Sequence, residues 1–130
     1  ASDVYKRQAW EILLEIPTQQ QTGGLLLQVG NCFALELTLV SRTLHAYVKD
    51  TGEQTMQDCG TLQLAPGAPV RLQVFLDRCS AEIFADGKCL SVNVFDTAPL
   101  RPVSLIPQGG TLPLQLLQVW QLQHVMEPQT

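Results

Sequence analysis

Alternating apolar and polar residues dominate the stretch from residue 70 to residue 96, and this pattern is typical of strands with one buried face. The apolar positions are even-numbered from Val70 to Leu76 and odd-numbered from Ala81 to Ala85. A one-residue shift would turn the buried face toward solvent unless the chain turns or bulges in between. We therefore predict two strands joined at a corner formed by Asp77 and its neighbour.

The dipeptide Asp86-Gly87 predicts a tight hairpin after the second of these strands. Asp-Gly favours a type I′ turn because both central residues of that turn have φ > 0. The register that this turn imposes is Phe84 opposite Cys89, Ile83 opposite Leu90 and Glu82 opposite Ser91.

Similar short runs recur along the whole chain. Strands are predicted at residues 10–16, 25–29, 33–40, 44–48, 61–64, 70–77, 80–85, 88–95, 103–106 and 112–122. Turn residues separate them at intervals too short for crossover helices. The last segment could also form a helical stripe, but Pro113 and its even-numbered leucines favour a strand. The sequence predicts an all-β fold, an antiparallel two-sheet β-sandwich of the jelly-roll or concanavalin-like type.

Composition limits the possible partners. The chain has 130 residues, of which 45% are hydrophobic and 15% charged, which suits one domain with a sizeable core. Its net charge of −4 does not favour nucleic acid or an anionic membrane as a partner. No apolar run approaches the roughly 20 residues of a spanning helix. We expect no cofactor.

Four cysteines are present, and they can pair in three ways. Cys79 and Cys89 fall on opposite faces of the predicted hairpin, which argues against a bond between them. The spacing of the four cysteines, Cys32, Cys59, Cys79 and Cys89, and of the two histidines fits no zinc-binding pattern. We therefore expect no metal site. Unpaired, mostly buried thiols are expected instead, and these favour a reducing compartment such as the cytoplasm.

The segment from Phe75 to Gly87, FLDRCSAEIFADG, resembles a signature of the C-terminal β-sandwich of glycoside hydrolase family 32, the β-fructosidases. That family includes invertase, sucrose-6-phosphate hydrolase, levanase and inulinase. Cys79 replaces a serine of the pattern, and the strand that follows matches only loosely. The residues that coincide with the pattern are Asp77, Arg78, Ser80, Glu82, Phe84, Asp86 and Gly87.

The resemblance implies a non-catalytic module. In this family the nucleophile, the transition-state stabiliser and the acid/base lie in an N-terminal five-bladed propeller, in motifs similar to W-x-N-D-P-N, R-D-P and E-C, and this sequence contains none of the three. A retaining glycosidase needs two carboxyl groups about 5 to 5.5 Å apart. Along an extended strand Asp77 and Glu82 would be roughly 16 Å apart, less whatever the corner removes. The resemblance thus assigns the signature residues a structural role and implies the propeller as partner, in an enzyme that hydrolyses terminal β-fructosyl bonds.

Residues 1–8 have a different interpretation. Residues 3–8, DVYKRQ, are the translation of GATGTGTATAAGAGACAG, which resembles a transposon end used to build sequencing libraries. We interpret residues 1–8 as an adapter scar and residues 9–130 as one β-sandwich domain, a fragment of a longer enzyme.

The alternative function is a free-standing, lectin-like carbohydrate-binding module. Such modules hold sugar rings against exposed aromatic side chains. Trp10 shares its predicted face with isoleucines and leucines, and Trp120 with Leu116 and Leu122, so both tryptophans are expected in the core. Tyr47 and Phe75 fall on faces that could meet solvent, a sugar or another domain. A self-contained enzyme is the third and least favoured option.

Overall fold

The computed structural model describes residues 5–49, 57–77, 80–94 and 103–126, and these contain ten strands and no helix. The strands are β1 Tyr5–Ile16, β2 Gly24–Val29, β3 Phe33–Thr38, β4 Thr43–Val48, β5 Gln57–Gln63, β6 Val70–Leu76, β7 Ser80–Ala85, β8 Lys88–Asn93, β9 Val103–Gln108 and β10 Leu116–Met126. Each predicted strand is present, and the final segment is a strand as predicted. The boundaries differ by several residues in β1, β5 and β10.

The strands form two five-stranded antiparallel sheets. Sheet A has the order β10-β1-β6-β7-β8, and sheet B has the order β5-β4-β3-β2-β9. Strand β8 contacts β5 and β4 of the other sheet. The sheets therefore face each other with β8 over β5, and β10 and β9 are the edges of the two sheets on the opposite side. This arrangement confirms the predicted all-β antiparallel sandwich.

The core lies between the two sheets and is built by alternation along each strand. In β1 the side chains of Ile12, Leu14 and Ile16 have no exposed surface, whereas the residues between them are only half-buried. Strands β2, β3, β4 and β6 supply inward side chains in the same way, and Phe33 is the largest fully buried one. Each such side chain stabilises the fold by roughly 1.5–3 kcal/mol relative to exposure.

The predicted register of the signature hairpin is confirmed. Phe84 pairs with Cys89, Ile83 with Leu90 and Glu82 with Ser91. Asp86 and Gly87 have φ values of 58° and 71°, as a type I′ turn requires.

Strand β1 begins at Tyr5, inside the eight residues that we interpret as an adapter scar, and it pairs with β10 from that residue onward. The hydrogen bonds between paired strands join backbone N–H and C=O groups, and every residue except proline has both. Pairing here is therefore compatible with either origin of these residues, and the scar stays a prediction.

Candidate functional site

Asp77 closes the corner between β6 and β7. Its backbone N–H donates to the carbonyl of Ser80 at 3.0 Å. Its carboxylate oxygen Oδ1 accepts from the Ser80 N–H at 2.8 Å and lies 3.2 Å from the Ser80 hydroxyl. An aspartate that binds backbone N–H groups in this way stabilises a turn. Arg78 and Cys79, which complete the corner, lie outside the described residues.

The Asp86-Gly87 turn attaches the β7–β8 hairpin to the loop between β5 and β6. A carboxylate oxygen of Asp86 accepts a hydrogen bond from the Ala65 N–H. The Lys88 ammonium donates to the Gln63 carbonyl at 2.6 Å. One contact reaches the loop after β5 and the other reaches the last residue of β5, so the signature turn and the adjoining Lys88 attach sheet A to sheet B at one end of the sandwich.

Two further signature residues, Glu82 and Phe84, point away from the core. Both are exposed on β7, at positions that alternate with the buried Ala81 and Ile83. Glu82 lies opposite Phe75 of β6. The signature therefore divides into turn residues bound to backbone groups and outward residues on the face of sheet A.

The outer face of sheet A combines aromatic, apolar and polar side chains. Successive cross-strand rows run through β10, β1, β6 and β7. The rows are Trp120, Glu11, Phe75 and Glu82; Gln118, Leu13, Gln73 and Phe84; and Leu116, Glu15 and Arg71.

Trp120 was expected in the core, and this expectation is wrong. Its backbone pairs with Glu11, so its side chain shares the outer face and is 40% exposed. The alternation correctly put Trp120 and Leu116 on the same face, but that face is the outer one. Strand β10 is an edge strand, and residues 117–120 are exposed on both of its faces. Trp10 is half-buried and packs against the core, in line with its prediction.

A groove of about 500 Å³ opens on this face beside the Asp86-Gly87 turn. Two polar pairs lie on the face. Arg71 Nε donates to Glu15 Oε2 at 3.0 Å, and Gln73 Nε2 donates to Glu11 Oε1 at 3.0 Å. No motif in the sequence marks these residues, although their regular alternation with core residues on β1 and β6 is the signal that could have placed them on one face.

The outer face of sheet B carries a second polar cluster. His45 Nδ1 lies 3.0 Å from the Thr61 hydroxyl and 3.4 Å from an Asp58 carboxylate oxygen. The rings of His45 and Tyr47 stack with centroids 6.2 Å apart. Burial raises the pKa of the Tyr47 hydroxyl, with a further contribution from the charge of Glu36. The cluster is a hydrogen-bonded surface on the outer face of sheet B.

The described cysteines depart from the expectation of mostly buried thiols. Cys32 is buried and its thiol donates to the Val29 carbonyl at 3.4 Å, but Cys59 and Cys89 are exposed. Cys89 is a free thiol on the outer face of β8 because it lies opposite Phe84. Partial burial raises the pKa of Cys59, and the charge of Asp58 raises it further.

Arg42 is an unusual feature that the sequence did not indicate. It is 7% exposed, has φ of 53°, and its Nη1 has no hydrogen-bond partner among the described residues. Its Nη2 lies 3.5 Å from the Thr18 carbonyl.

Within the described ranges, no three His, Cys, Asp or Glu side chains are grouped in a way that could hold a metal ion. Over the same ranges, no helix has the length and apolarity that crossing a membrane demands.

The model of the glycosyl hydrolases family 32 C-terminal domain matches residues 5–121. The match includes the corner at Asp77, the hairpin at Asp86-Gly87 and the strands on either side. The chain belongs to this family. The predicted resemblance to the family 32 C-terminal β-sandwich is thereby confirmed.

Solved structures show the same fold. The chain is similar to an exo-inulinase from Aspergillus awamori, with a TM-score of 0.64 and 13% identity over 96% of this chain and 26% of that chain. It is also similar to a toad ovary galectin in complex with N-acetylgalactose, with a TM-score of 0.56 and 18% identity over 87% of this chain and 89% of that chain. At these identities the likeness shows the sandwich fold alone. No curated protein matches the chain by sequence.

Proposed function

We propose that this chain is the non-catalytic C-terminal β-sandwich of a fructan- or sucrose-hydrolysing glycosidase, and that it packs against and stabilises an N-terminal propeller. The observation that carries the proposal is the family 32 match over residues 5–121 in a chain that spans 26% of the exo-inulinase it resembles. The binding of Asp77 and Asp86 to turn and loop backbone supports a structural role for the signature.

The surface best suited to the propeller is the β9–β10 edge, which we define by Leu117 and Val119 of β10. These two side chains are 45% and 42% exposed. Leu117 and Val119 pair with Leu14 and Ile12, so they face the inside of the sandwich, yet sheet B does not cover them. Exposed apolar side chains grouped at one site are typical of an interface.

Two features of the backbone also favour contact with another domain here. Strands β9 and β10 are the edges of their sheets within the described chain, and exposed edges need to be covered or protected. Strand β1 pairs with β10, so a domain that precedes β1 in the chain would enter beside this edge. These are reasons to place the propeller against β10.

The test uses the enzyme in which this chain is joined to its propeller. Val119→Lys is expected to lower the thermal unfolding midpoint of the joined enzyme, because it would bury a charge without a partner at the interface, which costs roughly 1–3 kcal/mol or more. The same substitution in this chain alone should change the midpoint little, since a lysine at a half-exposed site can extend to water.

Gln118→Lys is the matched control, since residue 118 is exposed on the opposite face of the same strand. It should leave the thermal unfolding midpoints of the joined enzyme and of this chain alone unchanged. The docking proposal is wrong if Val119→Lys leaves the joined enzyme as stable as the wild type, or if Gln118→Lys destabilises it equally.

A further inference from the structure

The groove on the outer face of sheet A has the size of a small-ligand site. Its volume of about 500 Å³ lies within the range of roughly 300–1,000 Å³ that is usual for such sites. The side chains that shape it are Leu13, Glu15, Arg71, Gln73, Phe84 and Leu116. We call this site the sheet A groove.

We propose that the sheet A groove binds a neutral oligosaccharide. A sugar ring presents apolar C–H faces and a rim of hydroxyl groups that both donate and accept hydrogen bonds. Phe84 and Leu13 offer apolar surface to the ring, and the aromatic face of Phe84 is the better of the two platforms. Arg71 can donate hydrogen bonds, Glu15 can accept them, and the amide of Gln73 can do both. The groove can therefore bind sugar hydroxyl groups both as donors and as acceptors.

The polar groups are held in place before a ligand arrives. Glu15 fixes the Arg71 guanidinium through Nε, and Glu11 fixes the Gln73 amide through Nε2, each at 3.0 Å. The Glu15 side chain is only 16% exposed, which limits its motion, whereas the Arg71 side chain is 76% exposed. Because Glu11, Glu15 and Gln73 are half-buried and already paired, ordering them on binding loses less rotamer entropy than at a flexible surface.

Charge favours a neutral ligand over an anionic one. Among the described residues, Arg71 is the one cation that lines the groove, and it is already paired with Glu15. Glu11 and Asp86 add two further carboxylates close by. A phosphate would meet an excess of like charge, which opposes binding. Phosphorylated sugars should therefore bind more weakly than their neutral counterparts.

The aromatic surface extends beyond the groove, which favours a chain of sugars over a single ring. Trp120 lies beside Glu11 in the neighbouring row and is 40% exposed. Phe75 lies on the other side of Glu11, and its ring meets Phe84 edge to face with centroids 5.9 Å apart. A second sugar leaving the groove along these rows would reach the indole of Trp120.

The test is a titration of this chain followed by amide ¹H–¹⁵N correlation spectra. The probes are 1-kestose, nystose and a levan-derived trisaccharide, with lactose and maltotriose as neutral sugars without fructose, and sucrose with sucrose 6-phosphate as the charge pair. Saturable shifts are expected for at least one neutral oligosaccharide at the amides of residues 71, 73, 84 and 118–120.

Gln73→Ala and Phe84→Leu should each weaken that binding on the order of ten-fold, the effect of losing one hydrogen bond or one aromatic contact. Gln28→Ala and Tyr47→Leu remove an amide and an aromatic ring from the outer face of sheet B and should leave the affinity unchanged. The exposure of Phe84 keeps the Phe84→Leu variant folded, which its own spectrum would verify.

Three results would overturn the proposal. They are the absence of saturable shifts with every neutral oligosaccharide, shifts that cluster on sheet B, and tighter binding of sucrose 6-phosphate than of sucrose. The titration involves no propeller, so a negative result would leave the docking proposal intact. Equally, a failure of docking at the β9–β10 edge would not affect sugar binding on sheet A.

Discussion

At the scale of single residues, the turn at Asp86-Gly87 shows why the signature has this composition. Both residues adopt φ > 0, which aspartate tolerates and glycine adopts without strain. Asp86 has a second role, because its carboxylate accepts a hydrogen bond from the Ala65 N–H. The sequence predicted the turn because the backbone requirement is local, but the contact with Ala65 depends on how the two sheets pack.

Gly87→Val should destabilise the chain by roughly 1–3 kcal/mol, the usual effect of a strained backbone position. A Cβ at residue 87 would meet nothing within 4 Å, so the expected loss comes from the φ of 71° and not from crowding. Urea denaturation measures the difference. Lys88→Val is the comparison variant, because it places the same side chain one residue later in a strand, where valine is favourable, and gives up only the exposed bond from Lys88 to the Gln63 carbonyl, so it should destabilise less. Equal stability of the two variants would contradict the assignment of the strain to Gly87.

At the scale of elements, the sequence predicted strands and hairpin register well, and it failed on the environment of the edge strands. Inner strands such as β1 and β6 are covered on one face, so alternation identifies their buried side chains. Strand β10 is an edge, and over residues 116–120, the part of it whose side chains the structure describes, hydrophobic residues occur on both faces and none is buried. The pairing of Trp120 with Glu11 settles which face the indole occupies, and that pairing joins distant parts of the chain.

The two tryptophans should differ in access to a neutral quencher. Trp120 is exposed on the face of sheet A, whereas Trp10 packs against the core. Acrylamide should quench the Trp10→Phe protein, which retains Trp120, several-fold more strongly than the Trp120→Phe protein. Acrylamide is preferred to iodide because the adjacent Glu11 would repel an anion. The opposite order of quenching would place the indole of Trp120 in the core and remove it from the outer face.

At the scale of the whole molecule, the fold could be predicted from strand rhythm and turn chemistry, but the two candidate surfaces could not. The β9–β10 edge exists because sheet B stops short of Leu117 and Val119, and the sheet A groove exists because β1 and β6 are neighbours although far apart in sequence. Both depend on long-range pairing that periodicity does not encode. The two surfaces lie on different sides of the sandwich, so a propeller and a sugar could occupy them together.

The chain alone should release no fructose above background from sucrose, sucrose 6-phosphate, inulin or levan. Double displacement needs a nucleophile and an acid/base about 5 to 5.5 Å apart on opposite sides of the scissile bond. The Asp77 carboxylate is bound to the N–H of Ser80. Glu82 is exposed on the face of sheet A, and the other carboxylate of its cross-strand row, that of Glu11, lies beyond Phe75. Purified protein would be assayed for free fructose, with a whole family 32 enzyme as the positive control. Turnover that survives repurification and disappears in Asp77→Asn or Glu82→Gln would show that the sandwich is catalytic and that its signature residues are more than structural.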